Sequence, residues 1–495
     1  MSKSADKVRA DAEKLVSSRE FIAFMACAFF FTNMQGMVNG YRQAYLVNVL
    51  RLGEGSVATI NGICSVAGFA LSFFYAMIVD RAPKPGKAKF KPLVLMTCVP
   101  AGVFAVLMYY TPGQLSDLSV TLMTAYQVAV TLLYNASTYF AGTFNHIAVV
   151  ISPNQRERDK VISFRGIASA IGNSAPLVVV LVIGLLRKPG IITTEAMMYI
   201  VSAALCAAVG TLTLLLAMRT VKERVAYSPK PQNPLLGYLD VLKNRHAWLL
   251  LASEFIKGFR GVSTYMEVFL VVALLNDPAK KILLLLPTGI GTFVGMLIVS
   301  ALLKRFNSRQ IYMASGVYSI LANICAFSAG LASFRHPGEI VYQIVFFAFL
   351  FLIGLQFGAS NILPSMFQAD VLEDLEAKTH KRLEASLGLT VSLGSTASGT
   401  IVQILGPLIL YGASALNFIH YKPPMEQIID GVKKTVYLDQ DDRTKIMLLA
   451  VFTFGQGIFM LLCAAPFLFY RLTGERKAKI HEKVLAYRAE LEQAE

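Results

Sequence analysis

The sequence contains few charged residues: Asp, Glu, Lys and Arg make up 16% of its 495 positions, against about 25% in soluble domains. It also has a single tryptophan, six histidines and six cysteines, and no two cysteines have the CxxC spacing of a zinc or redox site. Hydrophobic residues make up 55% of the chain and form long apolar runs such as 282–303. This composition excludes a soluble enzyme, a fibrous protein and a disordered chain, and it indicates a polytopic membrane protein.

Motifs of catalysis are missing as well. The sequence has no HExxH motif, no clustered metal ligands and no Ser/His/Asp constellation, so we expect no enzymatic activity, no cofactor and no metal site. The net charge of +15 falls in short loops between apolar runs, which is typical of orientation signals and not of a nucleic-acid-binding face. The polar N-terminal stretch lacks a cleavage site, so we expect no signal peptide.

Twelve apolar segments are each long enough to cross a bilayer as a helix, which takes about 20 residues. They lie at 20–49, 56–79, 92–110, 119–150, 161–186, 195–219, 247–276, 282–303, 309–333, 338–365, 385–413 and 444–471. Most Lys and Arg lie in the tails and loops on one side, so the positive-inside rule predicts cytoplasmic N- and C-termini. We therefore predict an all-α membrane protein with two pseudo-symmetric six-helix bundles.

The same pattern predicts how the chain is divided. The expected segments are a cytoplasmic N-terminal tail (1–19), an N-terminal bundle (20–219), a proline-containing cytoplasmic linker (220–246), a C-terminal bundle (247–471) and a cytoplasmic C-terminal helix (472–495). The longest loop on the outer side, 415–442, is expected to hold a short helix near 424–432. The absence of a targeting segment favours the inner membrane of a bacterium.

Three cytoplasmic loops carry a more specific pattern. They contain Asp80-Arg81 with Lys84, Lys87, Lys89 and Lys91-Pro92; Ser152-Pro153-Asn154-Gln155-Arg156-Glu157-Arg158-Asp159-Lys160; and Asp370-Val371-Leu372-Glu373-Asp374 with Lys378 and Lys381-Arg382-Leu383-Glu384. Together with the six-plus-six outline, these loops resemble the glycoside–pentoside–hexuronide:cation symporter family of the major facilitator superfamily, which includes melibiose permease-like sugar carriers. The specific matches lie near these loops, and elsewhere the similarity is one of hydropathy profile.

The resemblance implies a secondary active transporter. It would move a sugar-like solute together with a cation by alternating access, as a monomer in the bilayer. Loop charges would form a cytoplasmic gate, and the candidates are Asp80 with Arg156, Arg158 or Arg165, and Asp370 or Asp374 with Arg382. The alternative is that these charges only fix the topology and cap helices.

Polar side chains inside the spans are candidates for the transport path, because ionised groups at mid-bilayer cost about 2.5–3.5 kcal/mol and usually face a water-filled cavity. The substrate-binding candidates are Gln35, Asn39, Arg42, Thr138, Tyr139, Asn145, Lys257, Arg260, Gln356 and Thr396. Each has a structural alternative: threonines often bond to their own helix backbone, and Arg42 could extend to the lipid headgroups. Nearby tyrosines could stack on a sugar ring or on neighbouring helices.

The chain departs from the family at its acidic positions. The carboxylates that sodium-coupled members carry on the second span fall near Gly68 and Ser72 here. We therefore predict a proton rather than sodium as the coupling ion, with Glu254, Glu267 or His146 as the titrating group. Uncoupled facilitated diffusion, and a helix-packing role for His146, are the alternatives.

Cations take the place of these acids inside the spans. Arg42, Arg165, Lys257 and Arg260 all lie within predicted spans, and a cationic cavity favours a carboxylate or sulfonate. The predicted substrate is therefore an acidic sugar or glycoside such as a hexuronide. The alternatives are a neutral glycoside or oligosaccharide carrier, a lipid or drug transporter, and a non-transporting sensor or scaffold.

Overall fold

The computed structural model describes residues 15–79, 88, 90–112, 119–152, 154–187, 190–224, 240–336, 339–379, 384–411, 419–429, 431–480 and 482–484. The helices, in chain order, are α1 (Ser18–Ala44), α2 (Glu54–Val79), α3 (Lys91–Leu107), α4 (Val120–Ala141), α5 (Phe144–Val150), α6 (Gln155–Ser174), α7 (Pro176–Leu185), α8 (Glu195–Thr220), α9 (Arg245–Gly258), α10 (Gly261–Leu275), α11 (Lys281–Leu302), α12 (Ser308–Arg335), α13 (Ile340–Thr379), α14 (Glu384–Tyr411) and α15 (Asp442–Ala464). A π-helical turn (Tyr45–Val49) extends α1, and 3-10 turns (Pro278–Lys280 and Ala465–Phe469) precede α11 and follow α15. Two strands, β1 (Met425–Ile429) and β2 (Val432–Val436), lie between α14 and α15.

Long apolar helices dominate the structure. Within the described ranges, nine helical stretches are long and apolar enough to cross a membrane. Each predicted apolar segment coincides with one helix or with two helices separated by a short break. The prediction of an all-α membrane fold is confirmed, whereas the number of spans and the side on which the termini lie stay predictions.

The chain forms two compact units. Unit 1 comprises Met1–Pro231 together with Pro423–Leu438, and unit 2 comprises Gln232–Lys422 and Asp439–Glu495. In unit 1, α1 packs on α6 and α8, α3 packs on α4 and α8, and α2 packs on α4. In unit 2, α9 and α10 pack on α14 and α15, α12 packs on α13 and α15, and α11 packs on α13. The helix pairings of unit 1 thus recur in the same order in unit 2, which is the internal duplication that the sequence predicted.

Small residues allow the tightest of these pairings. Gly291 and Gly295 on α11 face Gly354 and Gly358 on α13, so that each helix presents glycines four residues apart. A Cβ at Gly354 would meet the carbonyl oxygen of Thr288, and a Cβ at Gly358 would meet the backbone of Gly295. Such small-residue stripes bring membrane helices into backbone contact, where dispersion rather than the hydrophobic effect holds them together.

Helix α13 is longer than the sequence predicted. The predicted span ends at 365, but the helix continues to Thr379, so Asp370 and Asp374 lie on helical turns and not in a loop. One face of this extension is buried in the hydrophobic core of unit 2. Its members are four residues apart: Phe367, Val371 and Leu375. That spacing is the period of a helix face, and the acidic residues between these positions hid it from the hydropathy reading.

The segment between α14 and α15 corrects another prediction. We expected a short helix near 424–432, but the structure has an antiparallel hairpin in which Ile429 pairs with Val432 and Met425 with Val436. The sequence between the strands is Asp-Gly, and Gly431 has a φ of +75°. Asp-Gly between β-branched residues is a strong hairpin signal, because such turns need positive φ. The prediction of a helix overlooked it.

Candidate functional site

The polar residues of α1 in unit 1 differ in exposure. Gln35 is partly buried, Asn39 is exposed and Arg42 is buried. The Arg42 guanidinium donates to Thr131 Oγ1 of α4 (3.0 Å) and to Asn61 Oδ1 of α2 (3.4 Å). Arg42 is therefore held between three helices of the bundle, which disfavours the alternative of an extended side chain at the headgroups.

Two further candidates lie on α4. Thr138 is buried and its hydroxyl donates to the backbone oxygens of Tyr134 (2.8 Å) and Asn135 (3.1 Å). Tyr139 is exposed, and its ring lies 6.0 Å from that of Tyr75 on α2. The structure thus places Thr138 in a backbone-bonding role, while Tyr139 stays available on the surface of unit 1.

Asn145 and His146 lie on α5, just after the break that separates it from α4. Arg165 of α6 donates to both the backbone oxygen (3.0 Å) and the side-chain oxygen (3.1 Å) of Asn145. His146 is exposed, stacks on Phe90 at 5.5 Å and lies 3.1 Å from the Tyr75 hydroxyl through its Nε2. The predicted substrate ligand Asn145 and the predicted gate cation Arg165 therefore form one cluster.

The tyrosines of α1 pack against one another. Tyr41 and Tyr45 are buried and lie 5.9 and 6.3 Å from the ring of Tyr199 on α8. Tyr109 contacts both Tyr45 (5.3 Å) and Tyr199 (6.1 Å). Offset and edge-on contacts of this kind stabilise helix packing, which favours the packing alternative for Tyr41 and Tyr45 over stacking on a sugar.

In unit 2, Glu254 and Lys257 form an ion pair between residues three apart on one helix face. Lys257 Nζ lies 2.9 and 3.2 Å from the two oxygens of the Glu254 carboxylate, three residues earlier on α9. The side chains remain 26% and 14% exposed for Lys257 and Glu254, respectively. The pair is therefore within reach of solvent, as an exchangeable proton site has to be.

Among the described residues, Arg260 has neutral partners only. It lies at the break between α9 and α10, with its guanidinium carbon 4.3 Å from the centre of the Phe357 ring and its Nη1 3.4 Å from Ser360 Oγ, both on α13. Its Nε is buried without a hydrogen-bond partner, and within the described part of the chain no carboxylate lies within 4.0 Å. Arg260 is thus a cation without an acidic partner among those residues, which leaves donors available to an anion.

Glycines lie on both sides of the break that presents Arg260. A Cβ at Gly258 would meet the side chain of Ser398, and a Cβ at Gly261 would meet Val402, both on α14. The two glycines therefore let α9 and α10 pack closely on α14. Discontinuous helices of this kind are used at binding sites in secondary transporters.

Glu267 is engaged differently from Glu254. Its carboxylate lies 3.2 Å from Lys281 Nζ, and both residues are buried at the junction of α10 and α11. An ion pair buried on both sides exchanges protons with water poorly, because either charge left alone is strongly disfavoured. The structure thus favours Glu254 over Glu267 among the predicted titrating carboxylates.

The last two substrate candidates lie on α13 and α14. Gln356 is buried and accepts from Asn323 of α12 (3.4 Å), so it faces a neighbouring helix. Thr396 is exposed and donates to the backbone oxygen of Ser392 (2.8 Å). Both contacts are of the kind that the structural alternative describes.

The structure describes only some of the residues predicted to form the cytoplasmic gate. Asp80 and Arg382 lie outside the described residues, and nothing is described of the Arg156 side chain. Asp370 accepts from Tyr470 (3.1 Å) and pairs with Lys477 (2.6 Å). Asp374 pairs with Lys378 (2.5 Å) and accepts from Asn244 (2.9 Å). For Arg158, which lies in the first turn of α6, and for the pairings with Arg382, the gating role stays a prediction.

One polar cluster at the predicted cytoplasmic end of unit 1 was not singled out from the sequence. Arg224, just beyond α8, makes a two-pronged contact with the Glu20 carboxylate on α1 (2.8 and 2.7 Å). Lys222 N also donates to Glu20 (2.8 Å), and Arg224 Nη1 donates to the backbone of Ile151 (2.9 Å). Donation of these hydrogen bonds to the buried Glu20 carboxylate raises the pKa of Arg224 above its ordinary value. These contacts fix the start of the linker to α1 and α5.

We expect Glu20→Gln to destabilise the protein, because it leaves the Arg224 guanidinium without its carboxylate. The Arg224 side chain is 22% exposed, so the loss should stay below the about 3–5 kcal/mol of a fully buried pair, and the melting temperature in detergent should fall by a few degrees. Arg219→Gln is the matched control, since Arg219 is exposed on the last turn of α8. Equal melting temperatures for the two variants would show that the Glu20–Arg224 pair is dispensable.

A second overlooked cluster lies at the opposite end of unit 1. Glu195 is 1% exposed at the start of α8, where it accepts from Tyr199 (2.7 Å) and from Asn48 (3.1 Å). The hairpin docks beside it: Thr435 Oγ1 accepts from Glu195 N (2.8 Å), and Arg187 donates to the Tyr437 hydroxyl (3.0 Å). The signal in the sequence was an acid at a helix start, which we interpreted only as a boundary.

Comparison with known proteins identifies the family of this chain. A profile of the family described as MFS/sugar transport protein matches residues 34–474. An Escherichia coli (strain K12) protein designated as a glycoside/cation symporter, YagG, is 22% identical over 386 residues, covering 75% of this chain and 78% of that protein. A second Escherichia coli (strain K12) protein is designated as a 2,3-dihydroxypropane-1-sulfonate exporter. It is 23% identical, and the match covers 73% of this chain and 76% of that protein. A Salmonella typhimurium (strain LT2) protein designated as a sulfoquinovose importer is 20% identical. The match covers 80% of this chain and 78% of that protein.

Solved structures agree with this assignment at the level of fold. The D-xylose-proton symporter superposes with a TM-score of 0.57 at 13% identity, covering 92% of this chain and 98% of its own. The nucleoside transporter NupG superposes with a TM-score of 0.58 at 13% identity, covering 91% and 100%. The resemblance to sugar transporters of the major facilitator superfamily that the loops indicated is confirmed. The chain belongs to the MFS/sugar transport protein family and is a multi-pass membrane transporter, not an enzyme.

Proposed function

We propose that this protein is a secondary active transporter of an acidic sugar-like solute, coupled to a proton and working by alternating access in the inner membrane of a bacterium. The observation that carries the proposal is Arg260, a cation held by an aromatic ring and a hydroxyl, with no carboxylate within 4.0 Å among the described residues.

Arg260 supports recognition of an anion by its geometry. Its guanidinium carbon lies 4.3 Å over the centre of the Phe357 ring, a contact that uses none of the N–H donors. A carboxylate or sulfonate can accept two parallel N–H bonds from one guanidinium, and such bonds are about twice as strong as neutral ones. A neutral hydroxyl would use the same donors less well, so the site favours an acidic solute.

The designations of the relatives point the same way. Two of those reported are named for 2,3-dihydroxypropane-1-sulfonate and sulfoquinovose, which carry a sulfonate group. A sulfonate presents three acceptor oxygens and stays ionised throughout the physiological pH range. The proposal therefore covers both carboxylated and sulfonated sugars, and the hexuronide is one case of it.

Glu254 supports coupling to a proton. Its carboxylate is neutralised by Lys257 at 2.9 Å while remaining partly exposed. Protonation of Glu254 would release Lys257 as an additional cation next to Arg260, so arrival of the proton would strengthen the affinity for an anion. His146 of unit 1, which is exposed and lies 3.1 Å from the Tyr75 hydroxyl, is the second candidate.

A neutral glycoside carrier is the alternative function. The relative YagG, named as a glycoside/cation symporter, favours it, as do the uncharged candidates Gln35 and Asn39 on α1. In that case Arg260 would serve helix packing through Phe357, and recognition would depend on amides and hydroxyls.

Ligand-dependent thermal stability distinguishes these two functions. A ligand at one hundred times its Kd stabilises a folded protein by about 2.7 kcal/mol. The purified protein should therefore melt at a higher temperature with an acidic sugar such as a glucuronide and be unaffected by the corresponding neutral glucoside. Stabilisation by the neutral glucoside alone would favour the alternative.

A further inference from the structure

A cationic pocket that Arg260 does not line lies in unit 2. It has a volume of about 400 Å³ and lies between the start of α9, the end of α13 and the segment that follows α15. We name it the Arg245 pocket. Its basic lining residues are Lys243, Arg245, His246, Lys378, Arg471 and Arg476. The predicted topology puts it at the cytoplasmic membrane surface.

The charges of the Arg245 pocket are poorly balanced. Asp240 is the acidic residue among those that line it, and it lies 3.8 Å from Lys243. Lys378 is paired with Asp374. Arg245, Arg471 and Arg476 are exposed, and none has a carboxylate within 4.0 Å in the described ranges. Three guanidinium groups therefore converge on the pocket with their donors available.

The start of α9 adds to this positive field. Asn244 caps the helix by accepting from His246 N (2.8 Å), so the first turn of a 14-residue helix points its positive end at the pocket. Helix N-termini bind anions through this dipole and the first backbone N–H groups.

A buried ring nitrogen without a partner in the described part of the chain independently indicates a ligand. His246 lines the pocket and is only 5% exposed, yet its Nδ1 has no hydrogen-bond partner among the residues that the structure describes. Its ring is held edge-on against Tyr470 at 5.6 Å, which fixes its orientation. Buried polar atoms in proteins are nearly always hydrogen-bonded, so an orphaned nitrogen at a cationic pocket marks the place of an absent ligand atom.

We propose that the Arg245 pocket binds a phosphate group, carried by an anionic phospholipid or by a soluble phosphate. A phosphate presents several strong acceptor oxygens, and this number suits guanidinium forks that approach from three chain segments. The bound phosphate joins the start of α9, the end of α13 and the segment after α15, and so stabilises this end of unit 2.

The position of Trp248 puts the pocket near the level of the lipid headgroups. This residue is 51% exposed, and its indole donates to the backbone oxygen of Leu242 (2.7 Å). Exposed tryptophans in membrane proteins concentrate at the membrane–water interface. Trp248 is also the single tryptophan of the chain and lies three residues after Arg245 on α9, so its fluorescence is a probe of the helix that forms one side of the pocket.

The test is a titration of Trp248 fluorescence in the purified full-length protein in detergent. Phosphatidylglycerol should cause a saturable change and phosphatidylcholine should not. The double variant Arg245→Gln/Arg476→Gln should raise the apparent Kd at least about tenfold, since each lost charged contact weakens binding. Lys304→Gln/Arg305→Gln, which removes two basic residues from the turn between α11 and α12, is the matched control and should leave the Kd unchanged.

Inorganic phosphate distinguishes the two sources of the ligand. If phosphate alone gives the saturable change and displaces the lipid, the ligand is a soluble phosphate; if only phosphatidylglycerol does so, it is a lipid headgroup. Either result supports a phosphate site. The proposal is overturned if neither probe gives a saturable change, if phosphatidylcholine acts equally, or if the control variant weakens binding as much as the double variant.

Discussion

Replacing Arg260 by glutamine should abolish uptake of an acidic sugar while the protein still inserts and folds. Arg260 lies over Phe357 with no carboxylate within 4.0 Å in the described part of unit 2. Removing its charge therefore breaks no ion pair among those residues. The substrate anion, however, loses its paired donors. Truncating one partner of a desolvated, hydrogen-bonded charge pair costs about 2–5 kcal/mol, which corresponds to a loss of transport efficiency of at least about 30-fold.

Two further variants make the Arg260 result specific. Arg335→Gln removes an exposed arginine from the end of α12 and should transport normally. Arg260→Lys keeps the charge but not the two-pronged donor geometry, so it should restore part of the activity. Normal uptake by Arg260→Gln, measured with equal amounts of protein in proteoliposomes, would remove Arg260 from the substrate site.

Replacing Glu254 by glutamine should separate transport from the proton gradient. The variant cannot release or bind a proton at this position, and Lys257 stays permanently without its carboxylate. We therefore expect an imposed gradient, with the inside alkaline, to cause no accumulation, whereas exchange of labelled for unlabelled sugar at equal pH continues. The measurement is the ratio of internal to external sugar with and without the gradient.

Glu267→Gln is the informative comparison for Glu254. Because Glu267 and Lys281 are both buried and lie 3.2 Å apart, this variant takes the Glu267 carboxylate away from a buried ammonium. Its main effect should be a loss of stability of about 3–5 kcal/mol, seen as a lower melting temperature. If Glu254→Gln still accumulates sugar in response to the gradient, His146 becomes the candidate for the titrating group.

Local patterns in the sequence predicted what depends on residues close together in the chain. Apolar runs located the helical segments. The Glu254–Lys257 ion pair is also local, because residues three apart share a helix face. The hairpin signal was local too, but the Asp-Gly turn was not weighed against the helix formers around it.

Contacts between distant parts of the chain were not predictable in the same way. Glu20 and Arg224 are 204 residues apart, and Arg42 meets Asn61 and Thr131 only because three helices pack together. Hydropathy indicates that a helix is buried but not which neighbour receives each polar side chain. Family resemblance implied a substrate path. The neutral partners of Arg260 and the buried ion pair of Glu267 with Lys281 became visible only in three dimensions.

The measurement that tests the central proposal most directly is uptake into proteoliposomes containing the purified protein. A glucuronide is compared with the corresponding neutral glucoside, each with and without an inward proton gradient. We predict accumulation of the glucuronide that requires the gradient, with little uptake of the glucoside. Gradient-independent uptake of the glucoside alone would contradict both the anion site at Arg260 and coupling through Glu254.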